Sequence, residues 1–140
     1  MAANGAAVLA AACAVSSATS AAKAMPASDV PVPKKNLKAY MSLAKRLGKI
    51  WREHGALSVH ECVADDVKVG KWTSFPRAVK LKDDETVVFS WIAYKSRKDR
   101  DKCNAKVMAD ARLKGMFEGK NMPFDGKRMI VGGFKVQVEV

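Results

Sequence analysis

The sequence predicts an α+β domain on a ferredoxin-like βαββαβ plan, and three observations predict it. Residues 35–54 repeat apolar side chains at helical spacing. Residues 86–94 form a run rich in β-branched and aromatic residues, the strongest strand pattern in the chain. A second helical pattern over 96–113 leads into a strand pattern over 129–140. With residues 57–64 read as a strand, the visible order is helix, strand, strand, helix, strand. One further strand before the first helix completes the split βαββαβ unit.

Each element has a local cause. Pro26, Pro31 and Pro33 mark an extended approach to the first helix. In that helix Leu37, Met41, Ala44, Gly48 and Trp51 form one apolar row, and Tyr40, Leu43, Leu47 and Ile50 form the next. Gly55 ends it. In the following strand Leu57, Val59, Glu61 and Val63 face one way, and Ser58, His60, Cys62 and Ala64 the other. Ser74-Phe75-Pro76 reads either as an N-cap with an early-turn proline, giving helical turns through Lys80, or as extended chain. The unbroken apolar run in 86–94 predicts burial on both faces. Ser96 and Asp99 form a capping-box pattern, and the helix that follows is expected to bury Cys103, Val107, Met108 and Ala111. After a loop at 115–126, the last strand alternates Phe134, Val136, Val138 and Val140 with Lys135, Gln137 and Glu139.

Composition bounds the function. A chain of 140 residues, 49% hydrophobic, builds one core. The formal net charge of +11 attracts polyanions without specificity. Cys13, Cys62 and Cys103 are odd in number and form no CxxC pair, which predicts a reducing, cytoplasmic setting without a disulfide framework. His54 and His60 are the only histidines, too few for a zinc site built mainly from imidazoles. Residues 1–29 are Ala/Ser-rich, with no charge before Lys23. Segment 6–15 and AAKA at 21–24 imitate an export or organelle-targeting signal, but a basic leading region is missing. The alternatives are a disordered tail or a start-site artefact. No membrane-spanning helix is expected, and the domain proper is expected to occupy residues 30–140.

Five segments carry a resemblance: VPVPKKNLKAY (30–40), WREHGALSVHECVADDV (51–67), SFPRAVKLKDDETVVFSWIAY (74–94), NAKVMAD (104–110) and MPFDGKRMIVGGF (122–134). Together they resemble the YbaA-like bacterial domain-of-unknown-function family. The resemblance implies a ferredoxin-like fold of the dimeric α/β-barrel group, a homodimer with two sheets packed face to face. It implies no activity. The match breaks at the first strand. Family members open with a short apolar strand, whereas positions 24–30 here read AMPASDV, with Pro26 and Asp29 as poor strand formers. Either residues 24–32 form a degraded strand, or segment 8–15 substitutes, or the native strand was lost through an artefact.

The candidate chemistry is sparse. His60 and Cys62 project from one strand face and would begin a soft metal site, but no third ligand is visible. His54, at the end of the first helix, is either an acid–base group or a C-terminal cap. Glu61 is a candidate base if its face lines a pocket, where desolvation raises its pKa, and structural if it pairs with Arg77 or Arg128. Phe75, Phe89, Trp91 and Tyr94 form either a ligand wall or a core and dimer interface. Gly132-Gly133 suggests a bulge or a close approach. Lys34, Lys35, Lys38, Lys45, Arg46, Lys49 and Arg52 make the first helix basic, but no RNP-like string accompanies them. No phosphate loop, HExxH, GxSxG or dinucleotide fingerprint occurs. The leading expectation is a homodimeric small-molecule binder without cofactor or metal. Its site would draw on Trp51, Phe75, Arg77, Phe89, Trp91 and Arg128, with His54 and Glu61 as candidate catalytic groups. A nucleic-acid-associated basic protein is the alternative.

Overall fold

Nine elements appear in the computed structural model, which describes residues 23–117 and 122–140. The readings of segments 6–15 and 8–15, of Cys13, and of part of the 115–126 loop fall outside the described residues. Strand β1 (Ala24–Pro33) leads through a 3₁₀ turn (Lys34–Asn36) into α1 (Leu37–Glu53). There follow β2 (Ser58–Val63), α2 (Phe75–Ala78), β3 (Glu85–Ala93), α3 (Arg97–Ala109), α4 (Ala111–Phe117) and β4 (Ile130–Lys135). The strands form one antiparallel sheet in the order β2-β3-β1-β4, the ferredoxin-like arrangement.

The degraded strand forms, and residues 24–29 belong to it. Three prolines sit in this interior strand without breaking it, because of where each nitrogen points. Even-numbered residues address β3: Ala24 N–H donates to the Tyr94 carbonyl and Lys34 N–H to that of Asp84. Odd-numbered residues address β4, as Lys23 does in accepting from Val136 N–H. Pro31 and Pro33 therefore turn toward β4, whose last paired position is Asp29↔Ile130. Their missing donors fall beyond the end of that neighbour. Pro26 turns toward β3, and there the continuous ladder begins only at Ala27↔Trp91, after an isolated Ala24↔Tyr94 bridge.

Helices α1 and α3 cover one face of the sheet. From α1, Tyr40, Leu43, Ala44, Leu47, Ile50 and Trp51 are buried, as the two apolar rows predict. They pack with Val30, Val32, Val88, Ile92 and Tyr94 from the sheet and with Cys103 and Val107 from α3. Gly55 ends α1 at φ 117°, a conformation that favours glycine. Asn104 ties the layers together: its side-chain oxygen accepts from Trp51 Nε1 at 3.3 Å and from Tyr94 Oη at 3.0 Å. Asn104→Ala removes the acceptor that the Trp51 and Tyr94 side chains share, so it is expected to lower stability by about 2 kcal/mol in urea denaturation. A change within about 0.5 kcal/mol would show that water or repacking replaces the amide.

The structure corrects several boundaries. The second long helix is interrupted at Asp110, whose backbone is extended at φ −72°, ψ 121°. Its carboxylate accepts from Arg112 N–H and so caps α4. Met108, on the outer side of α3, and Ala111, after the break, face solvent instead of the core. Strand β4 ends at Lys135, so Val136, Val138 and Val140 do not extend it. In β3, Val88, Ser90 and Ile92 are buried under the helices; on the other face Val87 is buried too, but Phe89, Trp91 and Ala93 are only half-buried. The helical reading of 74–80 holds: Ser74 Oγ accepts from Arg77 N–H at 3.2 Å. Likewise Ser96 Oγ accepts from Asp99 N–H at 3.1 Å. Gly133 marks a close approach, since a Cβ there would lie 3.2 Å from Arg100 Nη1.

Candidate functional site

Strand alternation places Ala27 and Asp29 of β1, His60 and Cys62 of β2, Phe89 and Trp91 of β3, and Ile130, Gly132 and Phe134 of β4 on the face opposite α1 and α3. The short helix α2 lies against β3 on this side and sets Phe75 edge-on to Phe89, with ring centres 5.8 Å apart. Phe89 meets Trp91 at 5.8 Å, and Trp91 stacks on His60 at 4.6 Å. Much of this face meets solvent: Phe75 is 50% exposed, Ile130 46% and Phe134 58%. A face this apolar and this open normally meets a ligand or another protein.

A hollow of about 280 Å³ lies in it, walled by Phe75, Phe89, Ile130 and Phe134. The small residues Ala27 and Gly132 pair directly across β1 and β4 and leave its floor low. Asp29 also lines it, beside Ser28 and Val131. Phe89 and Ile130 stand opposite it in the two flanking strands. Only 2% of Asp29 is exposed, and neither carboxylate oxygen has a hydrogen-bond partner among the described residues. Burial pushes its pKa up to about 6.

Glu61 lies on the other face, beneath α1. Tyr40 Oη donates to its Oε2 at 3.0 Å, and the Ser28 and Ser90 hydroxyls pair at 2.7 Å nearby. These groups line a narrow, partly open cavity of about 30 Å³, room for little more than one water. Burial raises the Glu61 pKa to about 7 against the opposing hydrogen bonds from Tyr40 and Ser90. The Tyr40 hydroxyl is raised above the usual phenol range by the same burial and by the Glu61 charge. Glu61 thus lines a pocket, as one reading required, and pairs with neither Arg77 nor Arg128. The cavity has no space for an organic substrate. Glu61 also reaches a broad surface groove between α1 and β2, flanked by Lys45, Lys49 and Arg52.

The residues expected to form one site are dispersed. Phe75, Phe89 and Trp91 come together on the bare face. Trp51 is in the helix–sheet core, 1% exposed. Arg77 Nε donates to the Gly70 carbonyl at 2.7 Å and closes its own loop. Arg128 clasps Glu85 (Nη1 to Oε2, 2.7 Å), Asp125 (Nε to Oδ2, 2.9 Å) and the Lys80 carbonyl (3.0 Å). His54 Nε2 pairs with Asp110 Oδ2 at 2.8 Å, which joins the end of α1 to the α3–α4 junction. Bonds from Arg112 first, then His54, hold the Asp110 carboxyl well below the usual range. Both arrangements fasten the chain together. His60 and Cys62 share a face as expected, and no metal-holding group of three or more His, Cys, Asp or Glu exists among the described residues. Asp29 and Phe134 were missed as site residues. Asp29 read as a flaw in a strand, and nothing in the sequence set it apart from one.

Together the strand order and the aromatic face define a ferredoxin-like domain with a sheet surface that, among the described helices, only the short α2 partly covers. The chain belongs to the family described as "Protein of unknown function (DUF1428)", whose model matches residues 29–126. It is 50% identical over 106 residues to "Uncharacterized protein YbaA" of Escherichia coli strain K12, covering 76% of this chain and 87% of that one. The protein of the same name from Shigella flexneri matches to the same extent. A solved dimeric ferredoxin-like protein from an uncultured marine organism superposes with TM-score 0.45 and 11% identity, over 85% of this chain and 91% of that one. Among the described residues, no helix is long and apolar enough to cross a membrane.

Proposed function

We propose that this protein is a homodimer that binds a small organic molecule on the bare face of its sheet, where a second copy closes over the hollow. The observation that carries the reading is the aromatic hollow itself, walled by Phe75, Phe89 and Phe134 on the face that α1 and α3 leave uncovered. The volume of about 280 Å³ sits at the lower edge of the ~300–1,000 Å³ common for small-molecule sites. A twin packed on this face would shield the hollow from water.

The first test is the oligomeric state. The protein is expected to sediment as a dimer at micromolar concentration. Phe134→Glu, at an exposed edge of the patch, is expected to give a folded monomer, because a charge there would be desolvated in the interface. A wild-type monomer would remove the twin from this reading.

The basic helix supports only diffuse contact with polyanions. Lys38, Lys45, Arg46, Lys49 and Arg52 are exposed on α1, while the aromatic rings lie on the opposite side of the sheet. No Lys or Arg projects from a strand on the aromatic face. A stacking platform and a phosphate clamp on opposite sides do not serve one strand of RNA. Retention on heparin is accordingly expected to vanish near physiological salt.

A further inference from the structure

The geometry points to a cationic ligand: we propose that the sheet-face hollow takes a small amine or amidine on an apolar body, its charged head bonded to Asp29. This rests on the small-molecule reading above and names the ligand class. Among the described residues the hollow has one charged group, and apart from Ser28, whose hydroxyl pairs with Ser90, the rest of the lining is apolar; the charged group is a carboxylate 2% exposed with two unsatisfied oxygens. Leaving such a group unpaired is costly, and a buried acceptor without a donor is uncommon enough in folded proteins to require a cause. A ligand ammonium or amidinium brings the charge and the donors that the fold does not supply. Phe75, Phe89 and Phe134 would hold the apolar body, and a ring face adds attraction for a cation.

No described residue competes as a partner. Asp29 forms no ion pair with a described residue, and burial alone accounts for its raised pKa. The other titratable groups projecting from strands on this face are His60 and Cys62 of the edge strand β2 and Glu85 at the start of β3, and Arg128, the nearest arginine beyond them, is bonded to Glu85 and Asp125. Arg77, on α2 beside Phe75, is turned to the Gly70 carbonyl. A twin seated on this face would offer the same set, with no lysine or arginine from its strands.

The full-length protein would be titrated with benzylamine, benzyl alcohol and phenylacetate, following its amide resonances by NMR. At about pH 7.5 benzylamine is expected to shift the amides of Ala27, Asp29, Gly132 and Phe134, with roughly tenfold preference over benzyl alcohol, and phenylacetate is expected not to bind. At about pH 5, where most of Asp29 is protonated, that preference is expected to fall about tenfold. Asp29→Asn should abolish the preference while the spectrum remains that of a folded protein. Gly132→Val, which fills the floor, should abolish binding of both neutral and cationic probes. Equal binding of amine and alcohol, or an amine preference that survives Asp29→Asn, overturns the cationic assignment and leaves small-molecule binding standing. No binding by any probe overturns both.

Discussion

Arg128→Ala is expected to destabilise the fold by about 3 kcal/mol, the lower end of the range for breaking a buried ion pair. The Glu85 side chain is 4% exposed and that of Arg128 15%. Removing the guanidinium leaves the Glu85 carboxylate with the Lys82 N–H as its remaining bond and strands the Lys80 carbonyl. The Arg128 bonds, first among the causes, hold the Glu85 pKa below the ordinary range. The clasp also spans distant parts of the chain: Arg128 and Asp125 precede β4, and Glu85 opens β3. Its loss should loosen the segment that carries Phe124 into the core. Arg128→Lys is expected to restore about half the effect, because an ammonium lacks the planar fork that reaches two carboxylates at once. Urea unfolding measures both. A loss below about 1 kcal/mol for Arg128→Ala would reduce the clasp to a surface pair.

Acidification from about pH 8 to pH 5 is expected to stabilise the protein by about 3 kcal/mol, opposite to the usual behaviour of carboxylates. Glu61 and Asp29 have folded pKa values near 7 and 6, raised from 4.5 and 3.8. The folded state therefore takes up protons over this interval while the unfolded chain stays ionised. The stabilisation is complete below the unfolded values and is lost as pH rises through the folded ones. The full shifts would give more, and solvent near both groups reduces the total. Below about pH 4 the sign reverses. Asp110, Asp125, Glu53 and Glu85 are all held low by arginine partners, so protonating them removes favourable bonds. Thermal midpoints across this range are expected to peak near pH 5, and Glu61→Gln is expected to flatten the upper limb. A midpoint that falls steadily from about pH 8 to 5 would refute the burial of both carboxylates.

Most of the fold was legible in the sequence, because the strongest patterns are those that burial enforces. The two apolar rows of α1, the Gly55 stop, the Ser74 and Ser96 caps and the alternation around Glu61 all reappear in place. The misplacements have physical causes. β1 looked damaged because propensity takes no account of which neighbour each proline nitrogen faces. The single second helix was a mistake about Asp110, whose carboxylate caps a new helix as readily as it would sit on an exposed helix face. The site was less legible. Phe75, Phe89 and Trp91 were recognisable as aromatics on one surface, but Trp51 belongs to the helix layer, and Arg77 and Arg128 spend their donors on local carbonyls and carboxylates. Asp29 has no sequence pattern that separates an isolated acid in a floor of small residues from a defect.

The contact between Gly133 and Arg100 gives β4 its alignment. Ile130, Val131, Phe134 and Lys135 are exposed, so burial hardly distinguishes one registration of this outer strand from another. The buried arginine of α3 crosses at Gly133, the glycine of β4 that turns toward the helices. A slide by two positions would push Val131 or Lys135 into the guanidinium, and a slide by one would turn every side chain over. The helix thus acts as a detent for the strand, and the two halves of the hollow, which lie on different strands, stay aligned because of it.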